Sequence, residues 1–88
     1  MTTHNQRKNA KDRLLRAEGH LHGIIKMIDE EKECPDILIQ IAAVKATLAK
    51  AGEVILQDHI EHCLVEAVKT GDIETQLQEL KTALQKLL

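Results

Sequence analysis

The chain has 88 residues, 43% of them hydrophobic and 30% charged, with a formal net charge of −2 and no Phe, Tyr or Trp. A core of aliphatic side chains in one small domain follows, and base-stacking single-strand binders and aromatic cages for quaternary amines are excluded. A lone core of this size supplies only about 3 to 5 kcal/mol, so a partner subunit, a metal or a disulfide is expected to complete it.

The first 16 residues carry Arg7, Lys8, Lys11, Arg13 and Arg16 against a single acid, Asp12, whereas acids outnumber bases thirteen to seven in the remainder. Such a basic leading segment on an acidic body suits a polyanion partner. Residues 1–6 are expected to form a flexible arm on a single helical domain spanning 1–88. From Asn9 to Glu31 the apolar residues Leu14, Ala17, Leu21, Ile24, Ile25 and Ile28 recur at spacings of three and four, the pattern of an amphipathic helix. Arg13 and Arg16 share one face of it and are the first candidates for contact with a polyanion's phosphates, with Lys45 and Lys50 as weaker ones.

Pro35 suits the first turn of a second helix and leaves Cys34 at or near its N-cap. Only Gly52 interrupts the helical period between Pro35 and about Lys69, which predicts one helix of about 35 residues, roughly 50 Å long. A helix of that length in so short a chain cannot bury its own surface and is expected to pair with a copy of itself. Thr70-Gly71-Asp72 reads as a stop followed by an N-cap, and a third helix runs from about Ile73 to Leu88 with Ile73, Leu77, Leu80, Leu84, Leu87 and Leu88 on its apolar side. The predicted fold class is all-α, and the long central helix does not fit a helix-turn-helix. No run of about 18 apolar residues could span a bilayer, and the polar N-terminus does not read as a signal peptide, so a cytoplasmic protein is expected.

In that compartment two cysteines are expected to be reactive thiols or metal ligands. His59 and Cys63 stand four apart, on one helix face and within reach of a common ion. Cys34 lies 25 residues before His59, roughly 37 Å along a continuous helix, so one chain cannot bring all three donors to one atom. Two copies of the helix crossing antiparallel near residues 47 and 48 would bring Cys34 of one chain to His59 and Cys63 of the other, and Ala46, Ala49, Ala51 and Gly52 would permit close approach there. Two thiolates and an imidazole form a soft three-coordinate set suited to Cu(I), whereas Ni(II) or Zn(II) would want a fourth ligand, for which His4 and His62 are the candidates.

The segments Arg13-Leu-Leu-Arg-Ala-Glu-Gly19, Gly23-Ile-Ile-Lys-Met-Ile-Asp-Glu-Glu31, Cys34-Pro-Asp-Ile-Leu-Ile-Gln-Ile-Ala-Ala-Val44 and His59-Ile-Glu-His-Cys63 resemble the CsoR/RcnR family of bacterial transcriptional repressors. The resemblance covers the chain from about residue 11 onward. It implies a homodimer with an antiparallel four-helix core, paired further into a homotetramer, that binds operator double-stranded DNA when free of inducer and is not an enzyme. It also implies that Cys34, His59 and Cys63 match the Cys-His-Cys pattern of the copper(I) sensors and that Glu79 matches an acidic outer partner of the histidine. Glu33 stands where those sensors often carry Tyr, and His20 where the family usually has Gln. A persulfide-responsive repressor using Cys34 and Cys63 and a nickel-responsive repressor are the alternatives. His20 and His22 are expected on the surface.

Overall fold

A computed structural model describes residues 6–88, which fold into three helices with no strand among the described residues. They are α1 (Arg7–Asp29), α2 (Cys34–Thr70) and α3 (Ile73–Leu87). The 37 residues of α2 correspond to about 55 Å of helix, and the molecule is 58 Å in its longest dimension, so α2 sets its length. No helix of the described residues is long and apolar enough to cross a membrane.

Helices α1 and α2 form an antiparallel hairpin: Gln6 meets Asp58 at its open end, and His20 meets Gln40 nearer the connection. The seam is periodic. Ala10, Ala17 and Ile24 on α1 are buried at intervals of seven, and so are Val44, Ala51 and Asp58 on α2, the repeat that keeps one line of side chains facing a neighbouring helix. Two alanines on α1 and one on α2 let the backbones approach closely. A second line on each helix, Leu14, Leu21 and Ile28 on α1 and Ile41, Leu48 and Ile55 on α2, also repeats every seven residues, yet each of these side chains is between 44% and 55% exposed.

The helix boundaries differ from the sequence expectation for physical reasons. Helix α1 begins at Arg7 rather than Asn9, and Gln6, assigned to the arm, is instead its N-cap residue, held through its backbone N–H by Asp58 of α2. The remainder of the expected arm, residues 1–5, lies outside the described residues. At its other end α1 stops at Asp29, because Glu31 adopts a left-handed conformation (φ 55°) and the Lys32 N–H donates back to the Met27 carbonyl, closing the helix. Cys34 is the first residue of α2, next to its cap as expected, with Glu33 in the extended capping position and Pro35 in the first turn, where a missing N–H costs nothing. Gly71, at φ 73°, ends α2 with its N–H on the Ala67 carbonyl, and Asp72 caps α3 by accepting the Thr75 N–H at 3.1 Å. Helix α3 folds back along the second half of α2 until Leu87 reaches Gly52, where a Cβ would lie 2.6 Å from the leucine Cδ1.

Candidate metal centre and basic cleft

His59 and Cys63 occupy successive turns of α2 beneath α3. The Cys63 Sγ lies 3.6 Å from His59 Nε2, and the same nitrogen is 3.4 Å from the backbone carbonyl oxygen of Glu79 on α3. With the ring hydrogen on Nε2 the imidazole donates to that carbonyl, and with it on Nδ1 the bare Nε2 faces the sulfur. Two donors bound to one ion at about 2.0 Å (nitrogen) and about 2.3 Å (sulfur) stand roughly 3.5 to 3.7 Å apart for trigonal or tetrahedral angles, and the separation of this pair falls in that range.

Cys63 is only 5% exposed. It borders an apolar cavity of about 140 Å³ between α2 and α3, lined also by Ile60, Leu64, Ala67, Ile73 and Leu77. Burial, and secondarily the Glu79 carboxylate, push its thiol above the ordinary range, because both disfavour a thiolate. A metal ion would reverse that balance by neutralising the charge. Glu79 therefore reaches the pair in two ways, through its carbonyl to His59 and through its charge to Cys63.

Cys34 is exposed at the start of α2. The helix is unbroken between it and His59, so the roughly 37 Å separation expected from the sequence applies within one chain. Glu33, beside it, is exposed and makes no side-chain capping bond. Among the described residues no three His, Cys, Asp or Glu side chains converge as a group able to hold a metal, and that includes His62 with the His59 and Cys63 pair. His4 lies outside the described residues.

On the opposite half of the hairpin, Arg13, Arg16 and Lys50 line one cleft of about 270 Å³ between α1 and α2, floored by Ala46 and Thr47. The Arg13 Nε donates to Asn9 Oδ1 at 2.9 Å, which holds the guanidinium along the helix, while Lys50 lies 3.5 Å from Glu53. Three of the four basic residues singled out in the sequence thus come together, and Lys45, exposed elsewhere on α2, does not line the cleft. Thr47 is an addition that the sequence reading missed. It lies three residues before Lys50, one turn away on the same face, and its Oγ1 donates to the Ala43 carbonyl.

His20 is corrected from a surface residue to a half-buried link between helices, with Nε2 2.6 Å from Gln40 Oε1. An amide oxygen only accepts, so the ring carries its hydrogen on Nε2. His22 is exposed, as expected.

A family model described as "Metal-sensitive transcriptional repressor" matches residues 6–86. The copper-sensing transcriptional repressor CsoR of Bacillus subtilis (strain 168) is 40% identical over 75 residues, covering 85% of this chain and 74% of that protein. The copper-sensing transcriptional repressor RicR of Mycobacterium tuberculosis is 38% identical over 85 residues, covering 94% and 88%. Among solved structures, the nickel-responsive transcriptional regulator InrS superposes with a TM-score of 0.87 at 42% identity over 92% of this chain and 91% of that one. The Cu(I)-bound copper-sensing repressor CsoR of Geobacillus thermodenitrificans superposes with a TM-score of 0.81 at 36% identity, covering 96% and 88%.

Proposed function

Because this chain belongs to the family of metal-sensitive transcriptional repressors, we propose that it binds operator DNA when metal-free and releases it on binding Cu(I). The observation that carries the choice of inducer is the pairing of Cys63 Sγ and His59 Nε2 at 3.6 Å, with the only other thiol, Cys34, exposed on the same helix and available to a second chain. Cys34 of one protomer joins His59 and Cys63 of its partner, giving two equivalent sites per antiparallel dimer. A bound Cu(I) would supply a fixed junction among these three side chains and offset one of the two thiolate charges.

The exposed heptad lines on α1 and α2 support the pairing, since together they make a continuous apolar face on one hairpin that a second copy can cover. A four-helix homodimer buries them, and a homotetramer repeats the basic cleft at fixed spacing. Arg13, Arg16 and Lys50 hold phosphates in that cleft, with Lys45 a more distant contributor. The chain has no aromatic side chain, so affinity rests mostly on charge and DNA shape. Within each chain His59 reports its state to α3 through the Glu79 carbonyl, so a change at the imidazole is felt by the helix that covers Cys63.

The likeness to a nickel-responsive regulator favours a second reading, in which Ni(II) uses the same pair with an additional nitrogen ligand such as His4 or His62. The test uses a fluorescent duplex selected from a random pool by the metal-free protein. Release is followed by anisotropy as Cu(I), Ni(II) or a polysulfide is added. Cu(I) is expected to release the DNA at about one equivalent per protomer and Ni(II) only in large excess. Release by nickel alone would move the assignment to the second reading, and release by polysulfide alone would make Cys34 and Cys63 a persulfide switch.

A further inference from the structure

Helix α1 carries the basic cleft, but among the described residues none of its own side chains caps its start. The Gln6 side chain at the N-cap position caps no backbone N–H, its Oε1 instead accepting from the Asn9 side-chain amide at 3.2 Å, and no acid occupies the first turn, which begins with Arg7 and Lys8 at the positive end of the helix dipole. The missing acceptor comes from another helix. Asp58 of α2 is 4% exposed, and its Oδ1 accepts the Gln6 backbone N–H at 3.3 Å.

The position of Asp58 gives this contact a consequence. It immediately precedes His59, and successive residues of a helix point about 100° apart. One turn of α2 therefore presents Asp58 to the start of α1 and His59 to Glu79 of α3. Arg13 and Arg16 lie seven and ten residues beyond Gln6, roughly 10 to 15 Å along the same helix. A displacement of the first turn is carried to them by a rigid rod.

We propose that Asp58 is a positioning residue that ties the start of α1 to the turn of α2 bearing the inducer ligand, so that occupancy at His59 is transmitted to the DNA-binding cleft. The proposal rests on the copper-responsive reading given above. The Asp58 tie sets the register of α1 against α2 in the metal-free protein, and movement of the 58–59 turn on metal binding loosens or re-aims it. Asp58 need touch neither metal nor DNA to change the coupling between them.

Hydrogen exchange read by mass spectrometry on the full chain tests this, using the amides of residues 10–14, the first to be bonded within α1. In the metal-free state Asp58→Ala is expected to speed their exchange about five-fold, the effect of losing one helix cap, while residues 73–87 stay unchanged. Asp58→Asn keeps an oxygen acceptor and is expected to restore slow exchange. Cu(I) is expected to alter exchange at 10–14 in the unsubstituted protein and to have little effect there in Asp58→Ala, although that variant binds Cu(I) with affinity within about three-fold. An unchanged Cu(I) response in Asp58→Ala would overturn the proposal. So would metal-free exchange at 10–14 that is the same in all three proteins. Should Asp58→Ala not fold, the Asn variant and the Cu(I) response of the unsubstituted protein decide: fast exchange in the former, or no response in the latter, sinks the tie. Absence of Cu(I) binding altogether would instead defeat the functional reading, and the metal-free comparison would still judge the Asp58 cap.

Discussion

Removing one cation from the cleft shared by α1 and α2 gives a prediction with a definite magnitude. Arg16 is exposed and forms no ion pair with another described residue, so Arg16→Ala should cost the fold no more than about 0.5 kcal/mol. Its effect on DNA is larger, because each phosphate neutralised by a side chain releases condensed counterions. The logarithm of affinity then falls against the logarithm of salt concentration with a slope of about −0.9 per contact. Losing Arg16 should make that slope shallower by about 0.9 for every protomer that engages the duplex, or about 1.8 for a dimer. Between about 50 and 200 mM salt, one such contact is worth roughly a 3- to 4-fold change in affinity. Anisotropy titrations of the selected duplex across that range measure the slope directly, and a random-sequence duplex should show the same change if the contact is to phosphate. Lys50→Ala should do less, since Glu53 already lies 3.5 Å from that ammonium. An Arg16→Ala slope equal to that of the unsubstituted protein would show that this cleft does not face the DNA.

Other consequences are as direct. Glu31 holds a left-handed backbone (φ 55°) that costs a side chain about 1 kcal/mol, so Glu31→Gly should raise stability by up to that amount and increase Tm by a few degrees; a lower Tm would contradict the account of how α1 ends. At Gly52, Ala should be close to neutral, because its helix propensity gain of about 1 kcal/mol is set against displacing only the mobile tip of Leu87, whereas Gly52→Leu should expel the end of α3 and cost about 1 to 3 kcal/mol by chemical denaturation. The raised pKa of Cys63 means that its thiol binds protons more tightly in the fold than in the unfolded chain. Its contribution to stability is therefore present below the ordinary thiol pKa and lost as pH rises through the raised one. For the same reason Cu(I) must displace that proton. Chelator competition should show affinity increasing with pH by up to about tenfold per unit for this group, and Glu79→Gln, by easing the thiol's ionisation, should make that rise level off at a lower pH. A pH-independent affinity would remove Cys63 from the ligand set.

Much of this architecture is legible in the sequence because it rests on local chemistry. Pro35, Gly71 and Asp72 mark the ends of α2 and the start of α3 by backbone rules that need no tertiary context, and His59 and Cys63 meet because residues four apart on a helix must. What was not legible depends on how the helices pack. The early start of α1 brings the Gln6 N–H to Asp58, 52 residues away, and its early end falls at Glu31, a residue type that gives no sign of left-handed geometry. His20 has no signal for burial until the register of the hairpin places Gln40 beside it. The same register gathers Lys50 and Thr47 to Arg13 and Arg16 and leaves Lys45 apart. Glu79 could be singled out as an acid, yet its contact with His59 is made by its backbone carbonyl, which no side-chain pattern encodes.

The central claim is that a Cu(I) site is completed between two chains, and mixing two defective proteins tests it most directly. Cys34→Ala and Cys63→Ala each break every site in their own homodimers. A heterodimer of the two retains one intact set, with Cys34 from the Cys63→Ala chain and His59 and Cys63 from the Cys34→Ala chain. After unfolding and refolding an equimolar mixture, chelator competition should recover tight Cu(I) binding at about one site per four chains, the stoichiometry for random pairing of two variants, while each variant refolded alone shows none. No recovery in the mixture, or tight binding by Cys34→Ala alone, would contradict a site shared between subunits.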